Sequence, residues 1–183
     1  MDHVIPKRDR AHSDDKQAGL HGTARRNVAT DSQPTHVSSQ PWSDERPQTL
    51  VVCCSDGRYH PHLEEFARAR VSERPDMIAI PGGPAAIDVW ASSFDHARVF
   101  FESLDLLLAS HDLRSLWLVA HESCSYYKHK HPSLDAAGLR ERQFIDLRRA
   151  RELIRERRPD LTVHLIHANL AGGRVKFDEV AAS

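Results

Sequence analysis

Apolar residues in this chain follow two rhythms. The first is the short unbroken run: residues 49–54 (TLVVCC), 77–80, 116–120 (LWLVA) and 161–167. Continuity without alternation marks strands covered on both faces. The second is helical spacing. Residues 61–71 place Leu63, Phe66, Ala67 and Arg70 on one face, with Pro61 tolerated in the first turn. Residues 95–111 carry a stripe of Ala97, Phe101, Leu104 and Leu108, with Phe100 and Leu107 beside it. Residues 136–158 predict a long helix with Phe144, Leu147, Ala150 and Ile154 inward. Pro81-Gly82-Gly83-Pro84 stops the second strand, and Ala171-Gly172-Gly173 ends the fourth before an edge strand at 174–177.

Strands alternating with helices predict an α/β fold: a mainly parallel central sheet of four to five strands, flanked by helices. Ligands of such sheets bind beyond the carboxyl ends of the strands. Cys54 ends the first strand, Gly82 and Gly83 follow the second, and His121 and Cys124 follow the third. Segments distant in sequence are thus expected at one edge of the sheet.

Composition adds boundaries. The chain has 183 residues, 40% of them apolar, which suits one core with an appendage. Residues 1–45 are polar, with only scattered large apolar residues. They read as an arm that is largely disordered or packed on a partner subunit, with Trp42 as anchor. Residues 46–183 then form the functional domain. With 25 basic and 26 acidic side chains, no global pull toward nucleic acid or a membrane is expected. The Arg-rich stretch 140–158 reads as a solvated helix face. No run approaches the ~20 apolar residues that span a bilayer, and the first residues lack the apolar core of a secretory signal. The expectation is a cytoplasmic protein with reduced thiols. Three cysteines, two of them adjacent, make no disulfide framework.

Two thiolates and one imidazole fill three of zinc's four tetrahedral positions and leave one for water or substrate. Each residue alone reads as a buried core residue. Cys54, His121 and Cys124 together, at strand ends and with H-x-x-C spacing, point to a metal. Asp56 and Arg58 follow the first thiol by two and four residues. They offer a hydrogen-bond acceptor and a cation that orients it and lowers its pKa. Two thiolates leave zinc with about no net charge and make it a weak acidifier of water, so the base partner matters more. A zinc-bound hydroxide would attack a small electrophilic carbon. Residues 127–131 (YKHKH) read as an exposed polar loop; His129 or His131 as proton carriers is the sharper alternative.

Cys54-Ser55-Asp56-Gly57-Arg58 and His121-Glu122-Ser123-Cys124 resemble the C-x-D-x-R and H-x-x-C signatures of β-class carbonic anhydrases. The resemblance covers about residues 46–178. It implies a zinc lyase that interconverts carbon dioxide and bicarbonate as a homodimer or higher homo-oligomer. Position by position, it implies zinc ligands Cys54, His121 and Cys124 and a catalytic pair Asp56 and Arg58, with Asp56 as a fourth ligand in a closed state. Glu45, where the family has Gln, and Gly82 and Gly83 would line the substrate pocket. The family's Cys-Gly-Gly is Cys124-Ser125-Tyr126 here, and prolines and glycine replace an Asn-rich loop. These departures keep two alternatives open. One is hydrolysis of an analogue such as carbonyl sulfide or carbon disulfide. The other is a non-catalytic zinc protein of the same fold.

Overall fold

The computed structural model describes residues 35–88, 90 and 92–181. Of the arm expected at residues 1–45, residues 1–34 lie outside the described residues. Trp42 is 87% exposed. From Ser43 onward the chain forms one compact unit.

Five strands form its sheet: β1 (Thr49–Cys53), β2 (Asp76–Ala79), β3 (Ser115–His121), β4 (Thr162–Ala171) and β5 (Arg174–Glu179). Their order is β2-β1-β3-β4-β5. The first four are parallel, and β5 returns antiparallel to β4. The expected α/β architecture is present. β4 runs four residues past its predicted end, because Gly172 and Gly173 (φ +58° and +73°) close a tight hairpin with β5. Two successive positive φ values are what such a two-residue turn requires.

The helices are α1 (His60–Arg68), α2 (Phe94–Ser110), α3 (Ser125–Lys130) and α4 (Ala136–Arg157). Ser93 caps α2 by accepting from the His96 N–H, and Asp135 caps α4 through the Gly138 N–H. Successive strand residues face opposite sides, so the apolar runs feed two cores. Leu50, Val52, Leu116, Leu118 and Leu165 pack with Phe100 and Leu104 of α2 and Leu147, Ala150 and Ile154 of α4. Val51, Cys53, Trp117, Val119 and Ile166 pack with Leu63 and Ala67 of α1. The buried line of α2 is Ala97, Phe100 and Leu104, with Phe101, Leu107 and Leu108 only partly covered. No described helix is long and apolar enough to cross a membrane.

Two segments differ from expectation. Residues 125–130 are a helix, not a loop, because Tyr127 is buried and donates its hydroxyl to Asp146 Oδ2 at 2.9 Å. Gly83–Ile87 is a fully buried 3-10 helix that fills the space between the strand ends and α4, where the sequence read as a simple stop. The Arg-rich face of α4 divides into local partners. Arg149 pairs with Glu152 three residues on, and Arg157 lies 3.9 Å over the Phe101 ring.

Candidate metal centre

Parallel register sets the site. Cys53 lies opposite both Ala79 and Val119, so β1 and β2 end level with each other and β3 runs two residues further, to His121. The chain leaves β1 at Cys54 and β3 at His121. Ser123 then takes a left-handed conformation (φ +61°), and Cys124 caps α3. A non-glycine residue there is uncommon and costs about 1–2 kcal/mol. The turn reverses the chain within three residues and brings Cys124 back beside His121. The ligand atoms of Cys54, His121 and Cys124 all lie within 4.8 Å of one another.

The three residues fit a tetrahedral metal. The Cys54 and Cys124 sulfurs are 3.8 Å apart and unjoined. Two thiolates each ~2.3 Å from one tetrahedral ion stand about that far apart. His121 Nδ1–H donates to the Glu122 carbonyl at 2.9 Å, which leaves the Nε2 lone pair free. Nε2 is buried without a hydrogen-bond partner. A buried, unpartnered ring nitrogen is costly unless something accepts its lone pair. The two thiols share one hydrogen bond, which lowers the Cys54 pKa, with help from the backbone N–H groups of Gly82 and Asp56, and raises that of Cys124. Cys53 is different: burial raises it to about 12, and it points into the α1 core.

Asp56 and Arg58 form a two-pronged pair. Arg58 Nε donates to Oδ1 at 2.9 Å and Nη2 to Oδ2 at 2.5 Å, and the Arg58 backbone N–H donates to Oδ1 at 3.1 Å. Arg58 thereby lowers the Asp56 pKa to about 2. Because this folded value lies below the ordinary 3.8, the pair is intact above that range and is lost only as pH falls through about 2. Both carboxylate oxygens are engaged by Arg58, and Asp56 is not part of the three-ligand cluster.

Gly82 and Gly83 are buried and support the first ligand. A Cβ on Gly83 would stand 2.8 Å from the Cys53 carbonyl carbon and the Cys54 nitrogen. A Cβ on Gly82 would stand 2.5 Å from the Tyr126 ring. The bulk that Tyr126 adds after Cys124 is therefore accommodated by a glycine on the facing loop. Glu45 is not brought to the cluster. Gln48 accepts from the N–H groups of Arg114 and Ser115 at the start of β3, the end of the sheet opposite the cluster of Cys54, His121 and Cys124. Six residues of strand, ~20 Å, separate Gln48 from Cys54, and the three residues from Gln48 back to Glu45 span at most ~10 Å.

Sequence reasoning missed two supporting residues. Tyr59 packs its ring against His121 at 4.1 Å between centroids, tilted by 40°, and donates its hydroxyl to the Glu122 carbonyl at 2.9 Å. Gln143, only 3% exposed, donates to the His121 carbonyl, and its Oε1 lies 2.8 Å from His167 Nε2. Burial lowers the His167 pKa, so its neutral ring donates to only one of two facing oxygens, Gln143 Oε1 or Asn169 Oδ1. Gln143 had a signal: a polar residue at an inward position one turn before Leu147.

No protein-family model matches the chain. No curated protein matches it. Among solved structures it is similar to a tetrameric β-carbonic anhydrase of the filamentous ascomycete Sordaria macrospora, at 14% identity over 75% of this chain and 84% of that one, with a TM-score of 0.46. It is similar to the β-carbonic anhydrase CafD of Aspergillus fumigatus at 12% identity, over 78% of this chain and 95% of that one, with a TM-score of 0.49. A carbonic anhydrase of Streptococcus mutans gives 14%, 73%, 82% and 0.47 in the same order.

Proposed function

We propose that this chain is a zinc enzyme that interconverts carbon dioxide and bicarbonate. The observation that carries the reading is the cluster of Cys54, His121 and Cys124 with the Asp56–Arg58 pair beside its first ligand. Cys54, His121 and Cys124 would hold zinc and leave one coordination position open. Zinc bound there would supply the Lewis acidity that makes water nucleophilic at neutral pH.

The chain's own residues supply the rest. Asp56 stays ionised throughout the neutral range, because Arg58 holds its pKa at about 2. It is therefore a permanent hydrogen-bond acceptor two residues from a ligand. Arg58, largely exposed, fixes which way the carboxylate faces. Tyr59 and Gln143 hold the His121 ring and backbone, the outer support that metal-binding histidines need.

Stopped-flow hydration of carbon dioxide by zinc-loaded protein tests the reading. Asp56→Asn is expected to keep zinc and lose turnover by about 10²–10⁴-fold, the range for a positioned acid–base group. Wild-type turnover in Asp56→Asn would make the pair structural and this mechanism wrong. A second reading has its own observation. Tyr126 packs its ring against Gly82 where the resembling family has glycine, adding a polarisable wall near the ligands. That wall favours carbonyl sulfide or carbon disulfide as substrate, so carbonyl sulfide belongs in the same experiment. Zinc without turnover on either would leave a binding protein.

We also infer a homodimer or higher homo-oligomer in the reducing cytoplasm. Trp90, Phe94, Val99 and Leu106 expose large apolar surface on and just before α2, more than scattered single residues. Three free cysteines suit a reducing compartment. Light scattering is expected to give at least twice the 20.7 kDa chain mass. A micromolar monomer would refute the assembly.

A further inference from the structure

Beside the turn from His121 to Cys124 lies a cleft of about 400 Å³ between α3 and α4. We propose that it is a second binding site and that its ligand is a small organic carboxylate, a single acid group on a hydrocarbon tail. This does not rest on the reading of the metal centre.

Size is the first argument. Three- or four-atom molecules fill little of such a space, whereas ~300–1,000 Å³ is the usual range for organic ligands. The cleft shares Cys124 with the metal cluster, but Cys54, Asp56 and Arg58 are not on its wall. A different and larger molecule is therefore called for.

Chemistry is the second. The floor is Gln143 and His167, and their described hydrogen bonds run to each other, to the His121 carbonyl and to Asn169. The lining charges are Lys128 and Arg140, with His131 beside them, against Glu122 alone. Glu122 is already occupied: its Oε2 accepts the Leu170 N–H at 2.8 Å and lies 3.9 Å from Arg140. Lys128 has no ion-pair partner among the described residues. Arg140 gives one nitrogen to Asn169 Oδ1 at 2.9 Å, and a guanidinium has further donors. Set against Glu122, the lining cations leave a net positive charge, with Lys128 on α3 unpaired among the described residues and Arg140 on α4 keeping donors free for a carboxylate.

The remaining wall is apolar. Leu139 lies along α4, and Leu134, 40% exposed, stands at the rim. An inorganic anion would leave these side chains in water; a hydrocarbon tail covers them. Basic side chains from two helices together with apolar ones in a single cleft define an amphiphilic acid.

The test is a chemical-shift titration of isotope-labelled full chain, both zinc-loaded and metal-free. The probes are butyrate, hexanoate and octanoate, with 1-hexanol and inorganic phosphate for comparison. Saturable shifts are expected at the amides of residues 124–131 and 139–143 in both forms, tightening with tail length. Hexanol is expected to bind at least fivefold more weakly than hexanoate. Lys128→Gln, an exposed change that leaves the fold alone, and Arg140→Gln should each weaken hexanoate at least fivefold and leave hexanol unchanged. Absence of saturable shifts at these amides overturns the proposal. So does hexanol binding as well as hexanoate, or phosphate binding as tightly as octanoate.

Discussion

Cys54→Ala and Cys124→Ala are each expected to abolish stoichiometric zinc binding, while Cys53→Ala keeps it. The two ligand sulfurs stand 3.8 Å apart at the strand ends, with the unpartnered His121 Nε2 beside them. Removing one leaves two ligands, too few to hold zinc against water. The loss should exceed the roughly 10–100-fold that removal of an outer supporting group costs. Cys53 differs by one position, yet strand alternation turns it to the opposite face of the sheet. It is 3% exposed among Val51, Trp117 and Val119, with its thiol held protonated by burial. Its replacement removes packing and no ligand. Elemental analysis of purified, zinc-reconstituted protein checks this. Full zinc in Cys54→Ala would end the ligand assignment.

Gly83→Ala should be the most damaging single methyl group added to this fold. Its Cβ would sit 2.8 Å from the backbone of Cys53 and Cys54, and its φ of +55° is unfavourable for any L side chain. Left-handed strain of about 1–2 kcal/mol and overpacking of about 1–3 kcal/mol combine to roughly 2–5 kcal/mol. The obstruction is backbone, so no side chain can swing away, and relief must come from moving the ligand loop itself. Zinc affinity should fall with stability. Gly82→Ala makes the useful contrast. It meets the Tyr126 ring, which can move, so it should cost less, and Tyr126→Ala should recover the steric share. Urea unfolding with a zinc competition assay measures both. Wild-type stability and zinc affinity in Gly83→Ala would show that the close approach is not required.

Much of the fold was legible because parallel strands buried on both faces must be apolar throughout. TLVVCC and LWLVA therefore announce themselves, and the helices between them carry one clear stripe each. Residues 125–130 were not legible: the segment is polar on its surface, and a single buried tyrosine, held by a distant aspartate, turns it into a helix. The 3-10 helix at Gly83–Ile87 was hidden for a related reason. Proline and glycine locally signal a stop, and only the space between β1, α2 and α4 makes burial of Pro84, Ala85 and Ala86 favourable.

For the candidate site, the sequence by itself determined which residue types stand at the carboxyl ends of β1 and β3, and chain order alone brings these to one edge of a parallel sheet. Cys54, His121, Cys124, Asp56 and Arg58 follow from that. Tertiary structure decided what no local pattern encodes. It set the register that brings the ends of β1 and β2 within two residues of the end of β3, and the left-handed Ser123 that turns Cys124 back beside His121. It moved Glu45 away, because a strand's length separates it from Cys54. It also recruited Tyr59 and Gln143, whose roles depend on contacts with His121 and Glu122 from 22 to 63 residues away. Ligand identity is a property of single residues at strand ends. Ligand support is a property of packing, and packing exists only once the chain has folded.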